Sequence, residues 1–333
     1  RFSLEMVNEK FLTHKSNLTR DAFELLNDII FNPLTENNAF KEKYFKQEKE
    51  ILKQEILSLI NNKYTFAVEN CIQRMCKNEK YGIYKLGSID ALADISNKEL
   101  FDHYQKILNE AKRSLFLVGN FKRKFVDDIF KNTDLKGGSD IFDKHTRVIY
   151  QDKETDFYQQ ELKVNQARLS IGYRTGITRN TSEYYALLIF NSLLGGSTHS
   201  RLFREIREKR SLAYYVGSSI ETTKGLLLIN SGINSANHEK VTELIKKEIE
   251  ALADGKFSSE EFIRAKKSII NRLRQDLDSN SALSAHYLLS LVNNKEESIT
   301  ETINKVKNVE IDEIKEVARK LKMDTVYLLK SED

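Results

Sequence analysis

Arg207 and Tyr214 are the residues of this chain whose types and spacing best suit chemistry on a peptide bond. They stand seven positions apart in the run Leu193-Leu-Gly-Gly-Ser-Thr-His-Ser-Arg-Leu-Phe-Arg-Glu-Ile-Arg-Glu-Lys-Arg-Ser-Leu-Ala-Tyr-Tyr215. The run reads as helix giving way to strand, so a guanidinium and a phenol flank the junction and can converge on one carbonyl oxygen. That oxygen gains negative charge during nucleophilic attack, and donors already aimed at it stabilise the charge. An ionised donor contributes roughly 1.5–3 kcal/mol. A plainer reading pairs Arg207 with Glu205 or Glu208 and packs Tyr214 beside Tyr215. The loop Gly195-Gly196-Ser197-Thr198 gives backbone freedom beside such a site, or merely ends the preceding helix.

Other reactive side chains are sparse. The six histidines, His14, His103, His145, His199, His238 and His286, are scattered singly, with no partner at i+4. A metal site needs several ligands brought together, so each reads as a surface or core residue. Cys71 and Cys76 fit neither a zinc knuckle nor a redox pair and read as reduced core residues of a cytoplasmic protein. Glu48 and Glu55 lie seven residues apart, on one face of a helix. The net charge of +4 is spread over mixed-sign runs such as 41–55 and 240–250, which solvate helix faces and leave no nucleic-acid footprint. No apolar run approaches the ~20 residues that span a bilayer.

The elements that must position these groups occur twice. Phe40, Phe45, Lys49 and Leu52 recur about 217 residues later as Phe257, Phe262, Lys266 and Ile269. Amphipathic helices precede both stretches, over 19–30 and 238–252. After each comes a helix and then a strand, first 96–108 with 113–119, later 310–321 with 325–329. Ser96 with Glu99 and Ser258 with Glu261 fit capping boxes. The second copy opens with strands 159–164 and 168–174, helix 181–194 and strand 213–221 before reaching 226–230, the counterpart of the strand-like run 2–6. The first copy therefore lacks its opening ~70 residues; either the chain is a fragment or half a domain has been lost. Fragmentation is the simpler account, and the chain opens at Arg1 rather than a methionine. The expected fold class is α+β: two related domains, each a mostly antiparallel sheet with helices stacked on one side. Their expected bounds are 1–131, a linker over 132–153 carrying Gly137-Gly138-Ser139-Asp140, and 154–333.

Two such halves, with Leu194-Gly195-Gly196 leading through Ser200-Arg201-Leu202-Phe203 to Arg207-Glu208-Lys209 and Leu212-Ala213-Tyr214, resemble the pitrilysin/insulinase family of zinc peptidases, which includes mitochondrial processing peptidase. The closest resemblance is to a bacterial, YfmF-like subgroup of inactive-domain members, through 8–12, 75–82 and Gly87. The resemblance covers essentially the whole chain and is most specific over 195–214.

In this family an H-x-x-E-H helix supplies two zinc-binding histidines and a general-base glutamate, and a glutamate further along completes the ligands. This chain contains neither H-x-x-E-H nor H-E-x-x-H. On the repeat alignment that helix falls in the stretch the first copy lacks. Glu55 matches the downstream ligand and Glu48 a supporting acidic position, although both also read as solvated helix charges. Ala265 and Arg272 occupy the equivalent places in the second copy. Arg207 and Tyr214 match the family's Arg/Tyr pair, which contacts the substrate backbone near the scissile bond from the half opposite the zinc.

The resemblance thus implies a non-catalytic, substrate-binding subunit with no metal of its own, paired with a zinc-bearing relative or with itself and holding extended peptides by β-strand addition. Two rivals stay open: a structural or peptide-binding protein without any peptidase role, and an active zinc peptidase seen without its metal-binding segment. Neither nucleic acid nor membrane is an expected partner.

Overall fold

The computed structural model describes residues 1–13, 17–132 and 154–331. His14, His145 and all but the first residue of the expected linker lie outside the described residues. In chain order the helices are α1 (Leu18–Phe31), α2 (Glu42–Ser58), α3 (Lys63–Met75), α4 (Ile89–Asp94), α5 (Asn97–Glu110), α6 (Arg123–Asn132), α7 (Tyr184–Leu194), α8 (His238–Ala253), α9 (Ser259–Asp276), α10 (Asn280–Val292), α11 (Ile299–Asn308) and α12 (Ile311–Lys320). The strands are the short pair β1 (Thr35–Glu36) and β2 (Ala39–Phe40), then β3 (Asp156–Glu161), β4 (Ala167–Arg174), β5 (Ala213–Glu221), β6 (Leu226–Ile233) and β7 (Lys322–Lys330). Both expected capping boxes form, at Ser96 with Glu99 and at Ser258 with Glu261.

The chain divides into two compact units, one of residues 1–57 and 86–143, the other of 58–85 and 144–333. The contacts therefore gather α3, which the contiguous domain bounds give to the first copy, into the second unit.

In the second unit five strands run in the order β3-β7-β4-β6-β5, antiparallel except for the β3–β7 pair. Side chains alternate across a strand. Leu169, Ile171, Leu227 and Ile229 thus face one side, where they join α7, α8 and α9 in the main core. The opposite face carries Leu228, Tyr327 and Leu329, which pack on Ala67 and Cys71 of α3. Gly172 permits that approach, since a Cβ there would lie 2.5 Å from Met75 Sδ.

A buried ion cluster fixes the end of α3. Arg174 Nη2 meets Glu79 Oε1 at 2.7 Å and donates to the Met75 carbonyl at 2.7 Å, while its Nε reaches Asp324 Oδ2 at 3.1 Å. Burial pushes the Cys71 thiol well above its usual range and the Cys76 thiol up to about 12. Both are inert core residues at neutral pH.

The first unit repeats the helical part of this plan. Lys49 Nζ donates to the carbonyls of Ala93 and Ile95 at 2.9 and 2.8 Å. Lys266 does the same to Lys307 and Val309 at 2.9 and 2.7 Å. Equivalent lysines thus clamp equivalent connections, which supports internal duplication at the level of single hydrogen bonds. The expected strands at 2–6 and 113–119 do not form. Their counterparts, β6 and β7, do not pair with each other; both pair with β4. β4 has no counterpart in this sequence, so each run lacks the strand that would hold its backbone.

Candidate functional site

Arg207 sits in a π-helical turn, Phe203–Glu208, closed by the Lys209 N–H donating to the Arg204 carbonyl at 2.9 Å. Leu202 and Ile206 are fully buried in the main core and pin one side of the turn. Two ion pairs pin the rest: Arg201 Nε to Glu248 at 2.7 Å on α8, and Arg204 Nη2 to Glu261 at 2.8 Å on α9. Glu205 is taken by Lys209 at 2.6 Å and Arg210 at 2.9 Å. Burial alone would raise its carboxyl, yet these two cations bring it down to about 2.

Among the described residues no carboxylate pairs with Arg207. Its exposed guanidinium lies 4.8 Å from the Phe203 ring. The plainer expectation, pairing with Glu205 or Glu208, is therefore not realised. Glu205 is taken by Lys209 and Arg210 instead, and π-bulges are frequent at functional sites.

Tyr214 is re-aimed by a second irregularity. Ala213 pairs with Ile233 and Tyr215 with Gly232, so Tyr214 is the extra residue of a β-bulge on the edge strand β5. Its neighbours turn inward. Ala213 and Val216 are buried, and the Tyr215 ring lies over Gly232, where a Cβ would come within 2.5 Å of it. Arg168 stacks on the Tyr215 ring at 5.4 Å and Tyr64 meets it edge-on at 5.7 Å. Tyr214 itself is 73% exposed. Ser211, at φ 52°, makes the left-handed turn between the two irregularities.

The Gly195-Gly196 loop is not a source of freedom. Both glycines serve close approach: a Cβ on Gly195 would lie 2.7 Å from Ser218 N, and one on Gly196 would lie 2.8 Å from Asn191 Nδ2. The Gly195 carbonyl accepts from the Ser218 N–H at 3.0 Å, and Ser218 Oγ donates to Asn191 Oδ1 at 2.7 Å. The outward edge of β5 is therefore occupied at Ser218, and the stretch over 214–216 precedes that block. Beside it a cleft of about 190 Å³ opens between Tyr64 and β5, lined by 215–219 and Asn230.

The family model for the peptidase M16 inactive domain matches residues 94–269. A curated relative, "Probable inactive metalloprotease YmfF" of Bacillus subtilis, is 35% identical over 99% of this chain and 77% of its own length. This chain belongs to the peptidase M16 inactive-domain family. The expected membership among inactive-domain relatives is thus borne out, with YmfF as the named relative. "Uncharacterized zinc protease YmxG" of the same organism is 26% identical, over 90% of this chain and 72% of its length. Among solved structures, a conserved protein from Enterococcus faecalis superposes with a TM-score of 0.88 at 29% identity, covering 98% of this chain and 77% of that one. A peptidase M16 inactive domain from Pseudomonas fluorescens shares the fold, with a TM-score of 0.74 at 16% identity over 95% and 76%.

The M16 fold implies zinc, so the donor set matters. Among the described residues no three His, Cys, Asp or Glu side chains come together as a ligand set. Glu48 and Glu55 are both exposed on α2. His103, His199, His238 and His286 stand on separate elements, and His286 is engaged by the Arg179 guanidinium at 3.3 Å and the Glu297 carbonyl at 2.6 Å. These residues do not fit a zinc ion, and no chemical step is assigned to one here. No helix among the described residues is long and apolar enough to cross a membrane.

Sequence reading missed two residues of this M16 site. Asn230 announced itself faintly, as the first of two polar residues, with Ser231, after Leu226-Leu227-Leu228-Ile229 in a fully buried strand. Tyr64 gave no signal, because nothing local tells that α3 packs on the second unit's sheet.

Proposed function

We propose that this M16 chain is a non-catalytic substrate-binding subunit, working beside a zinc-bearing relative in peptide processing. The observation that carries the reading is the presence of two exposed side chains, Arg207 and Tyr214, without hydrogen-bond or ion-pair partners among the described residues, each lifted out of a regular element by its own irregularity beside buried or ion-paired neighbours such as Ile206, Glu205 and Ala213. A guanidinium donates in a fixed fork and a phenol donates or accepts. Together they suit the carbonyl and amide of an extended peptide. The open edge over 214–216 supports a short β-pairing that ends where Gly195 occupies Ser218. Orientation is what this chain supplies; the metal and the attacking water belong to the partner. A cytoplasmic setting suits the two free, buried cysteines.

Mixing the chain with a zinc-bearing M16 relative from the same organism tests this. The pair should cleave peptides, and Arg207→Ala should lower kcat/KM by about 10- to 100-fold, as loss of a charge-assisted hydrogen bond implies. Tyr214→Phe should cost less. Complex formation with no turnover under any pairing would favour a purely structural role, and turnover undiminished in both variants would remove the assignment.

A further inference from the structure

We propose that the cleft between Tyr64 and β5 is a subsite for the carboxamide side chain of a bound peptide, a glutamine or asparagine. The inference deepens the substrate-binding reading and rests on it. Asn230 projects from β6 on the sheet face that also carries Leu228 and Tyr215, opposite Gly217 and Ser170. It is only 6% exposed, lines the cleft, and its Oδ1 is buried without a hydrogen-bond partner. Buried polar atoms are almost always paired, so this carboxamide is an unmet demand. Tyr64 and Tyr215 wall the cleft, and Gly217 leaves its floor open.

The lining selects the occupant by charge and by hydrogen bonding. None of Tyr64, Tyr215, Val216, Gly217, Ser218, Ser219 and Asn230 is an acidic or basic residue, so an ammonium entering would lose hydration without gaining a counter-ion, and a carboxylate would find only Arg168, which is already stacked on the Tyr215 ring and hydrogen-bonded to Gln166. A purely apolar side chain would leave Asn230 unpaired. A carboxamide offers both a donor and an acceptor to Asn230, and its flat faces suit the aromatic walls. The cleft begins one residue beyond Tyr214, so a peptide lying on Arg207 and Tyr214 passes its mouth.

The test is fluorescence anisotropy of the full chain with dye-labelled alanine–serine peptides carrying one central Gln, Asn, Leu, Glu or Lys. The uniform host lets the register slide until the test residue finds the cleft. Gln or Asn peptides should bind about tenfold tighter than the other three. Asn230→Leu should reduce that preference below about twofold through loss of Gln and Asn peptide affinity. Ser219→Phe blocks the rim from an exposed position and should do the same without disturbing the fold. Equal binding of all five peptides, or a preference for Leu, overturns the subsite while peptide holding stands. No binding by any of them overturns peptide holding itself and the subsite with it.

Discussion

Copies of one sequence pattern have come to different ends in this molecule. α9 buries Phe262, Ala265, Ile269, Ile270 and Leu273. α2, its counterpart about 217 residues earlier, buries none of its side chains. The helices share their lysine clamp and their aromatic spacing, and differ in what lies beneath them. α9 packs on α7 and α11 within a core built over the sheet centred on β4, whereas the first-copy residues of this sequence include no counterpart of α7 or β4. An amphipathic helix draws most of its stability from the face it packs against, not from its own propensity. Among the described residues the repeat thus gives a local fold in both copies and a buried helix face in one.

That contrast is most easily broken at the aromatic position. Phe262→Ala should destabilise the second unit by about 3–5 kcal/mol, the usual result of emptying a core aromatic site. Phe45→Ala, at the equivalent place, should cost about 1 kcal/mol or less, because a half-exposed ring has little transfer energy to lose. Hydrogen exchange followed separately on α2 and α9 reads both, and equal losses would mean that the first unit has a core after all.

A smaller effect tests how first-copy sequence is recruited by the second unit. Arg174→Met should cost about 3 kcal/mol, since it leaves Glu79 and Asp324 buried without their common counter-ion. Exchange protection of α3 should fall first, as Arg174 also holds the Met75 carbonyl at the end of that helix. Retained protection over 63–75 would show that apolar packing on Tyr327 and Leu228 suffices.

The lysine clamps should sharpen the comparison by showing no asymmetry. Lys49→Met and Lys266→Met each remove two hydrogen bonds from an ammonium to paired carbonyls. Each should cost about 1.5 kcal/mol in its own unit. A loss confined to Lys266 would make the clamp a consequence of the core and not an inherited local device.

Legibility followed the same division. Local signals carried far: the capping boxes at Ser96 and Ser258, the extent of α8, and the strand 213–221 all sit where spacing and propensity put them. Long-range signals did not. The runs 2–6 and 113–119 have strand composition, but a strand needs a partner that no local pattern can supply. Gly195 and Gly196 suggest either backbone freedom or a helix end; Gly195 does cap α7, and the close approach to Ser218 lies across a distance in sequence that a loop motif does not reveal. Arg207 and Tyr214 were found through residue type and family motif; the π-turn and the bulge that present them left no trace in the spacing.

The smallest change in stability should come at the site itself, and this separates function from fold. Arg207→Ala and Tyr214→Phe remove groups with no hydrogen-bond or ion-pair partner among the described residues, Arg207 meeting only the Phe203 ring, so each should alter unfolding free energy by about 0.5 kcal/mol or less. Peptide affinity should fall in the same variants. A chain that keeps an exposed guanidinium beside four neighbouring basic residues, Arg201, Arg204, Lys209 and Arg210, all with carboxylate partners, gains nothing structural from leaving Arg207 alone. If Arg207→Ala instead destabilises the second unit by 2 kcal/mol or more on the scale of a core lesion, the guanidinium belongs to the packing of Phe203 and not to a ligand.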